Sequence, residues 1–244
     1  MVDMSDQRLA SYVRLRALVV AQASANGGTG LAGGLRSVCV VACIELDAAG
    51  SAVHLMTSDG PEGVAAASDG RAAELGELAF TVGEGPGIDA WRTTRPVLAP
   101  DLAALADRWP VYAGTVLDSG IGGVLAFPLA VGAVGFGVLE VFVATTRPLD
   151  GDDVATAMNL ARVATEILYD GRGTDGVGSL DLVTALDHRV EIHQAQGMVM
   201  VALGVSLVDA LLRMRAHAFA ANLPLLQLAR GVVSGDDDPR KWDP

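Results

Sequence analysis

The chain has 244 residues, enough for one large domain or two ordinary ones, and 51% of it is hydrophobic with few aromatics, which describes a globular protein. No apolar run approaches the ~20 residues of a membrane span, and the first residues carry acids in place of a basic stretch before a cleavage site; a cytoplasmic protein without a membrane partner is expected. The formal net charge of −12 excludes coating nucleic acid by bulk electrostatics but leaves a local basic site open.

Taken in order, Leu9 to Ala23 is apolar-periodic and predicts a helix, ended by the glycine-rich stretch 26–34, which reads as a flexible loop. Ser37–Leu46 is an apolar run that predicts a strand, with a turn at 47–50 and Ser51–Thr57 as its hairpin partner. Arg71 to Thr81 predicts a helix. A glycine-stiffened loop, Val82-Gly-Glu-Gly-Pro-Gly87, runs into a short helix ending near Trp91. Asp101 reads as the cap of the next helix, and Asp107-Arg-Trp-Pro110 leads another. Ile121–Ala130 and Gly135–Ala144 are apolar strands on a tight turn, and Asp150 or Asp152 starts a long amphipathic helix through Leu168.

A glycine-rich linker, 171–179, separates this α+β part from the rest. Three helices on short turns follow. Gly204 stops the first, Ser206 with Asp209 forms a capping box for the second, and Pro224 suits the first turn of the third. The tail 236–244 is polar and expected to be disordered.

Residue chemistry argues against an enzyme. The four histidines show no metal-ligand spacing, and neither a nucleophile elbow nor a Walker lysine occurs. Cys39 and Cys43 sit in an apolar run and read as two small buried side chains. No metal, no cofactor and no catalytic residue is therefore expected.

Two family resemblances organise the remainder. Gln194-Ala-Gln-Gly197, the Ser-capped second helix with Ala210 and Arg215, and Asn222, Pro224, Leu225 and Ala229 make 180–235 resemble the ANTAR domain, whose members bind paired hairpins in mRNA leaders and prevent transcription termination. It departs from the family at Gln196, usually Lys or Arg, and at Leu223, often Arg. Gly83-Glu-Gly-Pro86, Asp89-Ala90, Pro96-Val97, Asp101-Leu102, Arg108-Trp-Pro110 and Phe127-Pro-Leu129 make 1–170 resemble the GAF domains of actinobacterial GAF–ANTAR regulators.

The resemblances imply an α+β fold, a GAF domain with an antiparallel sheet and helices packed on it, followed by a small all-α three-helix ANTAR domain. They imply an RNA surface of Arg189, His193, Gln194, Gln196, Arg213, Arg215 and Asn222, with hairpin RNA as partner. They also imply a small-molecule pocket at Trp91, Asp101, Arg108, Trp109 and Phe127. The family often has Cys at position 87; Gly87 removes thiol sensing there, and no covalent chromophore is expected. Apolar positions beyond one face of the second helix, with Val183, Leu186 and Val190 before it, imply a homodimer. The function implied is a signal-responsive antiterminator; the alternative is a degenerate regulator whose C-terminal helices bind protein and not RNA.

Overall fold

The computed structural model describes residues 4–27, 30–57, 60–144, 148–171, 191–221 and 223–242. Five strands, β1 (Gly50–Thr57), β2 (Gly60–Ala67), β3 (Val97–Ala99), β4 (Gly123–Val131) and β5 (Val134–Val143), form one sheet in the order β2-β1-β5-β4-β3. Every pairing is antiparallel.

Because side chains alternate along a strand, parity assigns each residue to a face. Val53 and Leu55, Leu125, Phe127 and Leu129, and Leu139 and Val141 point to a core shared with α1 (Met4–Ala25), α2 (Gly30–Glu45) and α6 (Gly151–Gly171). Ala52, Val124 and Phe142 point the other way, to α3 (Gly70–Val82), α4 (Pro86–Thr93) and α5 (Pro110–Asp118). His54 and Glu140 share the parity of this second face. The result is an antiparallel sheet between two helical layers.

Three expectations are corrected. The run Ser37–Leu46 is helix and not strand: it is most of α2, so Cys39 and Cys43 are one helical turn apart, Cys39 buried and Cys43 half-buried. The hairpin partner of Ser51–Thr57 is β2, which follows it. Most of the supposed glycine loop belongs to α2 as well, where Gly34 lets Ile167 of α6 approach to 3.3 Å of the point a Cβ would occupy.

Other local signals appear as read. Asp150 Oδ1 accepts from the N–H groups of Asp152 and Asp153 at the start of α6, at 2.9 and 2.8 Å. The segment after Asp101 is only a 3-10 turn, and Asp101 Oδ1 accepts from Ala104 N.

Behind the sheet lie three helices, α7 (Glu191–Leu203), α8 (Leu207–Ala220) and α9 (Leu225–Ser234). Gly204 takes the left-handed conformation, φ 63°, that closes α7. Ser206 Oγ accepts from Asp209 N at 3.1 Å, the expected cap of α8. Ile192, Ala195, Val199, Ala210, Met214 and Leu228 are among the residues of their common core.

The tail expected to be disordered is instead folded back as far as it is described. Pro239 is buried, Asp237 N donates to Gly231 O at 3.0 Å, and the Trp242 ring stacks on His217 with centroids 4.5 Å apart. A polar composition hid one apolar anchor, Trp242.

Among the described residues no single helix is long and apolar enough to cross a membrane. The linker 172–179 and the positions Val183, Leu186 and Val190 lie outside the described residues.

Candidate functional site

Between the sheet and the α3–α5 layer lies a buried polar cluster. His54 of β1 and Glu140 of β5 sit diagonally on adjacent strands, since Ala52 pairs with Glu140 and His54 with Val138. Their side chains form an ion pair, Nε2 to Oε2 at 2.8 Å, both essentially excluded from water. The ring N–H is not aimed along that contact, so His54 Nε2 and both Glu140 oxygens lack a directed hydrogen bond. The Tyr112 hydroxyl of α5, also fully buried, has no hydrogen-bond partner among the described residues either.

Burial alone pulls the His54 imidazole down, but the charge of the adjoining Glu140 carboxylate, with that of Glu77, outweighs it and leaves His54 above its ordinary value. Burial, and then the Glu140 charge, push the Tyr112 phenol well above its usual range. The cluster therefore holds a neutral phenol beside the His54–Glu140 pair.

Two glycines make room for it. A Cβ on Gly76 of α3 would come within 2.7 Å of His54 Cε1, and one on Gly87 of α4 within 2.6 Å of Glu140 Oε1. Gly87 lies in the first turn of α4, so the Glu140 carboxylate sits by a helix N-terminus, where negative charge is favoured. The glycine in place of cysteine at 87 thus has a steric counterpart: any side chain there meets Glu140.

The five residues expected to line a pocket are not brought together. Trp109 is 2% exposed, and its Nε1 donates to Asp89 Oδ2 at 3.1 Å. Arg108 grips the same Asp89 oxygen at 2.7 Å and stacks over the Trp109 ring. These groups satisfy one another and tie α4 to the start of α5. Asp101 is exposed and serves only its local turn. Trp91 is half-buried over Gly135, toward the β4–β5 turn. Phe127 is corrected outright: it points to the opposite face of the sheet, into the α1–α2–α6 core. His54, Glu140 and Tyr112 were missed, although a lone acid inside the apolar strand Gly135–Ala144 was a visible signal.

On the C-terminal helices, His193 and Gln194 of α7 and Arg213 of α8 are solvent-facing. Arg189 and Asn222 lie outside the described residues. Gln196 is corrected: it is 6% exposed, and its Nε2 donates to Leu207 O at 2.8 Å, satisfying a carbonyl at the start of α8. It is a joint between α7 and α8, not a contact on the exposed face.

Arg215 is also not on the open surface. Its guanidinium lies over the ring of Phe80 in α3, 5.8 Å from the centroid, and reaches within 3.0 Å of where a Gly83 Cβ would stand. Burial, and then the charge of Arg92, hold it below its ordinary value. Beside this contact a cleft of about 790 Å³ opens between α3, α5 and the α8–α9 corner, with Leu78, Phe219, Leu223 and Pro224 on its walls.

Comparison with known protein families finds two matches. The GAF domain family model matches residues 34–168, and the ANTAR domain model matches 180–233. No curated protein matches the sequence. Among solved structures, the GAF domain of an Acinetobacter phosphoenolpyruvate-protein phosphotransferase is similar, at 12% identity and TM-score 0.52, over 71% of this chain and 99% of that one. The corresponding domain from Coxiella burnetii is similar at 16% identity and TM-score 0.51, over 67% of this chain and 96% of that one.

Proposed function

We propose that this chain, which belongs to the GAF domain family and carries an ANTAR domain behind it, is an antitermination regulator of the actinobacterial GAF–ANTAR kind. In this reading the C-terminal helices bind hairpin RNA in nascent leaders, and the GAF domain controls them in response to a signal. The observation that carries it is the ordered pair of domains in one chain, a sensor-type domain followed by the RNA-binding type.

The RNA surface would centre on His193, Gln194 and Arg213, with Arg215 when accessible, and Arg189 and Asn222 remain candidates by the family resemblance. Arginine contacts phosphates and stacks on bases, while amides read exposed base edges in loops. The signal would be felt at the His54–Glu140–Tyr112 cluster, whose buried polar atoms lack directed hydrogen bonds among the described residues. A second copy would cover the apolar positions left open on α1 and α6, among them Val13, Val20 and Met158.

A rival reading has the same helices bind protein in place of RNA. Val201 and Val208, 77% and 71% exposed, favour it. Transcription through a two-hairpin leader and terminator separates the two. Added protein raises read-through if the RNA reading holds, and Arg213→Ala lowers that gain. No read-through at any protein concentration, with the protein still self-associating, selects the rival.

A further inference from the structure

The ANTAR helices do not stand apart from the GAF domain. Phe80 belongs to α3, yet it is 7% exposed because it is part of the core of α7, α8 and α9. Met214 and Ala218, on either side of Arg215 along α8, are buried in that same cluster. Arg215 is thereby carried onto the last turn of α3, beside its cap Gly83.

The chemistry of this contact is balanced. The C-terminal end of a helix carries partial negative charge, and α3 has no basic residue of its own in its last turn. Arg215 supplies one from the other domain. Against that, Arg215 Nε is buried with no acceptor among the described residues, and Arg92 adds a like charge nearby. The unpaired Nε and the like charge both weigh against the docked position of Arg215.

It is also connected to the buried cluster. Within the segment 83–87, Gly83 meets Arg215, Glu84 Oε1 accepts from the N–H groups of Val111 and Tyr112, Gly85 abuts the Tyr112 ring, and Gly87 covers Glu140. Segment 83–87 thus joins Glu140 and Tyr112 to the seat of Arg215 through a few residues of backbone.

We propose that docking of α8 on the last turn of α3 is an off-state contact, in which Phe80 and Gly83 withhold Arg215 from RNA, so that α3 and RNA compete for one side of α8. This rests on the RNA-binding reading above. The device is intramolecular, with the GAF helix α3 as the inhibitory surface and segment 83–87 as the link to the signal.

The test uses the full chain, a two-hairpin RNA, and two substitutions of opposite expected sign. Phe80→Ser removes the apolar anchor. Arg92→Glu, at an exposed position, turns a repulsion on Arg215 into an attraction. Hydrogen exchange of residues 207–220 reads docking without reference to RNA, and a titration reads RNA affinity.

Phe80→Ser is expected to speed exchange in α8 and tighten RNA binding roughly tenfold, a usual size for coupling between sites. Arg92→Glu is expected to slow exchange and weaken binding. Exchange unchanged in both variants, or faster exchange in Phe80→Ser with RNA affinity as in the wild type, overturns the inference. Tighter RNA binding by Arg92→Glu also overturns it. Altered exchange with no RNA binding by any of the three proteins removes the RNA-binding reading, and the inference with it.

Discussion

His54→Ala is expected to lower the unfolding free energy by about 3–5 kcal/mol, because it strands the Glu140 carboxylate in a water-free site. The pair is within 2.8 Å and essentially unexposed, so no solvent compensates the loss. Replacing both residues, His54→Leu with Glu140→Leu, recovers most of that stability, since two apolar side chains cost no charge desolvation there. A urea-melt cycle of the two single variants and the double measures this. A His54→Ala loss under about 1 kcal/mol would mean that the pair is not buried as described.

The same pair sets a pH dependence. The folded-state value of His54 is raised above its unfolded one, so its protonation stabilises the fold fully below the unfolded value of 6.5. That contribution fades as the pH climbs through the raised folded value. Wild type is expected to lose stability over this interval and the double-leucine variant to be flat across it.

Trp109→Ala is expected to cost about 3–5 kcal/mol, the range for truncating a large buried aromatic. It opens a cavity among Tyr112, Val116 and their neighbours and leaves Asp89 without its indole donor. Arg108→Ala, at an exposed guanidinium, is expected to cost no more than about 1 kcal/mol. The contrast separates a corner of the core from a ligand anchor. Thermal melts that left Trp109→Ala near wild type would restore Trp109 as an anchor held in place for binding.

How far the sequence was legible depends on what each signal rests on. The strands β4 and β5 and the caps at Asp150, Gly204 and Ser206 were readable because their chemistry is local. Helix α2 was not. Val38, Val40 and Val41 favour a strand by propensity, and an apolar run has no period to decide it. The run becomes a helix because it is buried between the sheet and α6, where Gly34 accommodates Ile167. Strand β2 left no clear signal, because Gly60, Pro61 and Gly63 are poor strand formers that an edge strand tolerates, and its register with β1 is irregular.

The site was harder still. His54 and Glu140 are far apart in sequence, and only the register of β1 on β5 places them on one face. Phe127 was assigned to the pocket by its motif, whereas strand parity sends it to the other side. Gln196 was placed on the RNA surface by its position in the family motif, but a motif cannot show that Leu207 O needs a donor. Arg215 illustrates the same limit, since its surroundings come from another domain.

The most direct measurement is a titration of the purified protein against a two-hairpin RNA leader and a scrambled RNA of equal length, across a salt series. Loop-dependent binding, with a shallow salt slope as expected of few phosphate contacts, is the predicted result. Equal affinity for both RNAs at every salt concentration, for wild type and Phe80→Ser alike, would contradict it.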